Sequence, residues 1–202
     1  LQEFYDSYED GDIRKGESGN QKVRGNFHAG PQYKANGIDR VLDSSADDPD
    51  GPELNFTPEI NALEPNAHRQ AGARVGKFEF VSGATENLDN DFPLLRYADV
   101  LLMRAEALWH LNNGDAEALA LVNQVRQRAG VDGFASLTPD DLLAERGREM
   151  FYEGWRRQDL IRFGKFTAPW AFKPASEDCK TIFPIPAEQI QANPNLQQND
   201  CY

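Results

Sequence analysis

Several stretches of this 202-residue chain carry residue types that catalysis or metal binding would use, and each falls short of the pattern its chemistry requires. Gly16-Glu17-Ser18-Gly19-Asn20 is one residue wrong for the G-x-S-x-G nucleophile elbow, and no apolar strand precedes it. Gly72 to Lys77 ends in Gly-Lys like a phosphate loop. Its glycine spacing is wrong, however, and Phe78 stands where a Ser or Thr hydroxyl would reach a magnesium ion. His28, His68 and His110 are isolated from one another, with no HxH or HExxH pair to hold zinc. Asp10-Gly11-Asp12 and Asp47-Asp48-Pro49-Asp50-Gly51 offer oxygens to calcium, but neither follows the EF-hand loop, so a solvated acidic turn is the simpler reading. With 33 Asp and Glu some carboxylate pair will always fall at glycosidase separation, and no pair stands out. The chain reads as non-catalytic, with no metal site and no cofactor.

Two sets of residues could instead bind. The first is a dense charged run, Glu145, Arg146, Arg148, Glu149, Glu153, Arg156, Arg157, Asp159 and Arg162. On helices the steps 145/149, 149/153 and 159/162 bring charges onto neighbouring turns. Such a run can form a patch for a carboxylate or sugar, or a network of Arg–carboxylate forks locking helix to helix. Phe151, Tyr152, Trp155 and Leu160 are threaded through it, which favours the network. The second set is loop aromatics with polar neighbours: Phe27, His28, Tyr33 and Asn36, and separately Trp170. These are the candidate ligand contacts, and the competing reading has each anchor a long loop to the core. Trp109 and Trp155 fall on helices and read as core.

The elements that must position these residues divide by composition near residue 92. Residues 1–92 are rich in Gly, Pro, Asn and Asp, with no long helix. Asp43 to Pro52 reads as surface loop, and Lys77-Phe78-Glu79-Phe80-Val81 alternates like a short strand. From Pro93 the texture is helical. Leu94, Ala98, Leu101, Ala105 and Leu108 recur at steps of three and four, with Arg96, Asp99, Glu106 and His110 largely on the other side. Asn112-Asn113-Gly114 ends this helix and Asp115 caps the next, which runs to about Arg128 and stops at Gly130. The short link makes the two an antiparallel hairpin. Thr138-Pro139-Asp140-Asp141 is a capping box variant opening a third helix that continues towards Gly154. Gly147 inside it signals close packing or a bend. Arg156 to Phe163 and Ala187 to Ala192 are shorter helices. The expected class is mainly α, a helical hairpin plus further helices, with a loop-rich N-terminal region containing short strands.

Composition excludes some partners. Apolar residues make up 40% and charged residues 27%, enough for a core. Lys and Arg total 21 against 33 Asp and Glu, a net charge of -12 that disfavours nucleic acid and anionic lipid. No apolar stretch approaches the roughly 20 residues that span a bilayer. The start, Leu1-Gln2-Glu3-Phe4, carries no initiator Met and no basic or apolar leader, as expected of a piece of something longer. Cys179 and Cys201 can be free thiols or a disulfide tying down the tail.

Arg96-Tyr97-Ala98-Asp99-Val100-Leu101-Leu102-Met103-Arg104-Ala105-Glu106-Ala107 resembles the RYAEVLLMRAEA helix of SusD/RagB-family nutrient-binding lipoproteins. Asn123-Gln124-Val125-Arg126-Gln127-Arg128-Ala129-Gly130 is similar to the family's N-x-V-R-x-R-A-G element. Glu145-Arg146, Glu149 and Glu153-Gly154-Trp155-Arg156-Arg157-Gln158-Asp159-Leu160-Ile161-Arg162 resemble its E-R-x-x-E…E-G-x-R-x-x-D-L-x-R pattern. Pro184-Ile185-Pro186 with Asn193 to Asn199 resembles its closing P-I-P…N-P-x-L-x-Q-N. Asp10-Gly11-Asp12-Ile13-Arg14 resembles a D-x-R element that precedes the family's loop region. The chain departs at Gly147, where a second Arg is common, and at Asp200-Cys201, which replaces Pro-Gly. The resemblance implies a tetratricopeptide-like hairpin, and a chain that is the C-terminal part of a longer protein whose missing helices cover the hairpin's other face. It also implies non-catalytic glycan or peptide binding at the outer face of the outer membrane, through a lipid anchor upstream, and delivery to a SusC-like TonB-dependent β-barrel transporter. The competing class is a tetratricopeptide-type protein-interaction scaffold without nutrient binding.

Overall fold

The computed structural model describes residues 2–16, 25–45, 47–64, 67–78, 88 and 91–202. The proposed strand at 77–81 lies outside these beyond Phe78, as does the near-miss serine motif beyond Gly16. Two compact units make up the chain, one ending at Arg156 and one running from Arg157 to Tyr202.

The first unit opens with a short helix that the sequence did not announce, α1 (Gln2–Asp6). Short strands follow, broken by Gly and Pro: β1 (Phe27–His28), β2 (Gly30–Pro31), β3 (Asn55–Phe56) and β4 (Arg74–Val75). β1 pairs antiparallel with β4, Phe27 opposite Val75, and β2 with β3, Gly30 opposite Phe56. The Asp43–Pro52 loop closes on itself, with the Asp43 N–H donating to the Pro52 carbonyl at 2.7 Å. Asp12 corrects the solvated-turn reading of its acidic stretch. It is only 4% exposed, because Arg14 forks onto both of its oxygens.

The hairpin consists of α2 (Tyr97–Leu111) and α3 (Ala116–Arg128). Asp115 caps α3 by accepting from the Ala118 N–H at 2.9 Å, and Gly130, at φ 81°, turns the chain away after it. Leu101, Leu102, Ala105, Ala118, Val122 and Val125 form its buried seam. Small residues let the helices approach closely. The other face of α2 shows Tyr97, Val100, Met103 and Leu111 to solvent.

Three expectations for this region are corrected. Leu94 is outside α2 and exposed, because Arg96 is extended (φ -143°, ψ 161°) and turns its side chain to Glu149 and Glu153. Asp99 and Glu106 are buried, not outward, and Asp99 is stabilised there by Arg146 Nη1 at 2.9 Å. The third helix, α4 (Pro139–Glu149), ends before Gly154, since Tyr152 and Gly154 take φ of 62° and 85°. Its capping box is formed as read: the Thr138 and Asp141 side chains each bond the other's backbone N–H. Gly147 is close-packed. A Cβ there would meet Arg156 Nη1 at 2.7 Å, where that guanidinium donates to the Leu143 carbonyl.

The second unit carries α5 (Arg156–Arg162, whose first residue closes the first unit), a 3-10 turn at Asp178–Thr181 and α6 (Ala187–Ala192). Cys179 and Cys201 are joined in a disulfide, their Cα atoms 6.0 Å apart. The tail is held further by Tyr202, whose hydroxyl donates to the Ile182 carbonyl at 3.0 Å. No helix among the described residues is long and apolar enough to cross a membrane.

Candidate functional site

Glu145, Arg148, Glu149 and Glu153 of the charged run form a buried network in the first unit with partners from elsewhere in that unit. Arg146 pairs with Asp99 and Arg156 donates to the Leu143 carbonyl, while in the second unit Arg162 pairs with Asp159 and Arg157 donates to the Lys180 and Thr181 carbonyls. Glu145, fully buried, accepts from Arg14 Nη1 at 2.6 Å, Arg126 Nη1 at 3.1 Å and Arg148 Nη2 at 2.8 Å. One turn on, Glu149 accepts from Arg14 Nη1 at 3.0 Å, Arg96 Nη1 at 2.6 Å and Arg128 Nη2 at 2.6 Å. Glu153 pairs with Arg96 at 2.7 Å and with Lys77. Burial pushes the Glu149 carboxyl up, but Arg96, Arg128 and Arg14 outweigh it and hold the group below the ordinary carboxylate range. Burial likewise lowers Lys77, only partly offset by Glu153.

Every charge brought out of water here meets an opposite charge at hydrogen-bond distance, the condition under which burial is tolerable. The sequence reading missed Asp12, Arg14, Lys77, Arg96, Arg126 and Arg128 as partners. Its available signals were the D-x-R and R-x-R elements, whose arginines have no helical neighbour of opposite sign. The network also fixes the loop region: Tyr8 donates its hydroxyl to the Arg148 carbonyl at 3.0 Å, and Asn26 Nδ2 donates to that hydroxyl at 2.8 Å.

The candidate contacts go to different places. Phe27 stands among Phe4, Tyr5, Tyr8 and Phe151, with ring centroids 4.9 to 6.2 Å from its own. His28 lies in β1 opposite Arg74. Tyr33 bridges to Arg40, whose guanidinium lies 5.3 Å from the ring centroid. Asn36 builds the tip between them, its Oδ1 accepting from the Ile38 and Asp39 N–H groups at 3.0 and 3.1 Å. Trp170 belongs to the second unit, on a tight turn, and is 54% exposed. Trp109 and Trp155 are half-buried, and Trp109 Nε1 donates to the Leu137 carbonyl at 3.1 Å.

Hollows among the described residues of the first unit include two with polar linings. One, of about 320 Å³, lies against the network beside Lys77, Arg96, Arg128 and Glu153. The other, of about 340 Å³, is lined by Thr57, Glu59, Ile60, Asn61 and His68 in the loop region. Both offer hydrogen-bonding walls. Among the described residues, the grouping of His, Cys and carboxylate atoms close enough to share a metal ion is Glu177, Cys179 and Cys201, and its two sulfurs are tied up in the disulfide.

The chain is thus mostly helical with a few two-residue strands, and buried arginines and carboxylates lock the helices of its first unit. The SusD family model matches residues 65–171, and the chain belongs to the SusD family. The starch-binding protein SusD of Bacteroides thetaiotaomicron is 36% identical over 124 residues, which are 56% of this chain and 22% of that protein. A SusD superfamily protein from Parabacteroides distasonis has a similar fold, with a TM-score of 0.64 at 24% identity, over 100% of this chain and 41% of its own. A laminarin-binding SusD-like protein matches with a TM-score of 0.56 at 27% identity, over 68% of this chain and 31% of its own. The chain therefore spans well under half the length of these relatives.

Proposed function

We propose that this chain belongs to a non-catalytic carbohydrate-binding protein of the bacterial cell surface, one that holds a glycan and passes it to a SusC-like TonB-dependent β-barrel transporter of the outer membrane. The observation that carries the reading is the 36% identity to a protein named for starch binding. The charged residues of the family's motifs, spent here on buried ion pairs, support it, because they account for those residues as scaffold and leave exposed loops and turns for the ligand. Of the candidate contacts, Trp170 is the best placed to meet a sugar face, with Tyr33 and Asn36 second at the tip of their loop. The surroundings of Phe27 and His28 favour anchoring. A peptide ligand is the other cargo this reading admits.

The test is purification of the protein from detergent-solubilised outer membranes of the source cells, followed by mass spectrometry and glycan titration. A lipidated chain that co-purifies with a transporter-sized barrel and binds soluble starch or laminarin is the expected result. An unlipidated chain with no barrel and no glycan affinity would sink the reading.

A further inference from the structure

The second unit brings three metal-binding side chains to one point. Cys179 lies in the 3-10 turn Asp178–Thr181, Glu177 precedes that turn, and Cys201 comes from the tail. Glu177 Oε2 stands 3.1 Å from Cys201 Sγ and 3.7 Å from Cys179 Sγ, and the three ligand atoms fall within 4.8 Å of one another. A disulfide sulfur has no proton to donate, so the carboxylate gains no hydrogen bond from the oxidised pair. Among the described residues no Lys, Arg or His side chain pairs with it either. Cys201 takes φ 75°, the left-handed region that favours Gly, so the chain accepts backbone strain to hold a sulfur here. The sulfurs do not owe their nearness to their own bond. Gln198 exchanges two hydrogen bonds with the Ile185 backbone at 2.8 and 2.9 Å, and Asn199 Nδ2 donates to the Phe183 carbonyl at 2.7 Å. Lys180 Nζ donates to the Cys201 carbonyl itself at 2.8 Å. With the disulfide open, these contacts still keep the two cysteines together.

We propose that Glu177, Cys179 and Cys201 form a redox-gated site for a divalent thiophilic cation of the zinc type. The disulfide is its closed form. A small thiol opens it: two RSH supply two electrons and two protons, the S–S bond breaks, and RSSR leaves with Cys179 and Cys201 as thiols. Both cysteines are half-buried rather than enclosed, so such a thiol can reach them. The ion then replaces the two thiol protons, which pass to water, and no electron moves in that step. Two thiolates and the Glu177 carboxylate fill three corners of a tetrahedron, and water takes the fourth. Bonds of about 2.3 Å to sulfur and about 2.1 Å to oxygen set neighbouring donors about 3.5–3.8 Å apart. Glu177 already stands near that spacing from both sulfurs. Sulfur ligands select zinc over calcium or magnesium, which take oxygen. In the oxidised and the metal-bound forms alike, the tail is tied to the turn.

The test is metal titration of the full-length protein, either oxidised or reduced with a phosphine that is then removed under argon. Cobalt chloride reports thiolate ligands through a charge-transfer band in the near ultraviolet, and zinc chloride should abolish that band by displacement. Reduced protein should take up one ion per chain more than oxidised protein, releasing close to two protons for it at neutral pH. Cys201→Ser should abolish the added uptake. Glu177→Gln should keep the charge-transfer band and bind zinc about tenfold more weakly. Equal uptake by the two redox forms, an added ion without the band, or one proton or none released would overturn the site. Unchanged zinc affinity in Glu177→Gln would overturn the three-ligand set. The redox comparison and the proton count use the natural sequence, so they decide the matter even where a variant fails to fold.

Discussion

At the scale of single residues, the chain concentrates its risk in two glutamates. Glu145 is fully buried and accepts from Arg14, Arg126 and Arg148, so converting it to an uncharged group leaves several buried guanidiniums short of a counter-charge. Glu145→Gln should cost about 3–5 kcal/mol in chemical denaturation, the scale of a broken buried ion pair. Arg128→Ala makes the contrast. Its side chain is 57% exposed, so although it touches Glu149 at 2.6 Å its loss should cost no more than about 1 kcal/mol. Equal costs for the two variants would show that burial does not govern this network. Glu149 adds a pH dependence. Its folded carboxyl is held below its usual value, so its contribution is complete above the ordinary carboxylate range and is lost as pH falls through the lowered folded value. Melting temperature should therefore be flat from neutral pH to about 5 and fall steadily below about 4.5. In Glu149→Gln that acid limb should be shallower.

At the scale of elements, what the sequence showed and what it hid follow one physical rule. Ends set by local chemistry were legible. Asp115 caps α3 and Gly130 stops it, Thr138 and Asp141 close the box of α4, and α6 spans the residues read for it. Ends set by distant partners were not. Arg96 abandons helical geometry to reach carboxylates more than fifty positions away, which moves the start of α2 past Leu94. Asp99 looks solvent-facing by periodicity and is buried because Arg146 faces it from another helix. For the candidate site the same split holds: Trp170 was named from its residue type, while the left-handed backbone two residues on, at Phe172, is announced by no residue type. Cysteine spacing left two readings open, and the disulfide now gives the second unit its own dependence on redox conditions. Cys201→Ser, or a reductant, should cost this unit about 3 kcal/mol by freeing the loop from Cys179. Protease nicking near the tail, measured with and without reductant, checks it, and an unchanged nicking rate would remove the disulfide from the stability account.

For the whole molecule, the composition somewhat overstates how acidic the surface is. Among the described residues the buried acids Asp12, Asp99, Glu106, Glu145, Glu149, Glu153 and Asp159 outnumber the buried Arg14, Arg126, Arg146 and Arg148, yet an excess of negative charge stays outside. Such a surface resists association with other polyanions and leaves neutral ligands indifferent to salt. The network has a further consequence, in time rather than in space. Arg14 reaches Glu145 and Glu149 across 131 and 135 positions of sequence, and Tyr8 reaches the Arg148 carbonyl across 140. Contacts that distant close late, after the helices they join have formed. Arg14→Ala should therefore speed unfolding and leave the refolding rate nearly unchanged in stopped-flow measurements, and slowed refolding would place that contact in the folding nucleus. Synthesis runs from the N-terminus, so Arg14 emerges beside Asp12 but well before Glu145 and Glu149, the carboxylates of α4 that complete its burial. Until α4 has been made, the first residues of this chain carry a charge with no buried place to go, and their assembly waits on residues more than a hundred positions behind them.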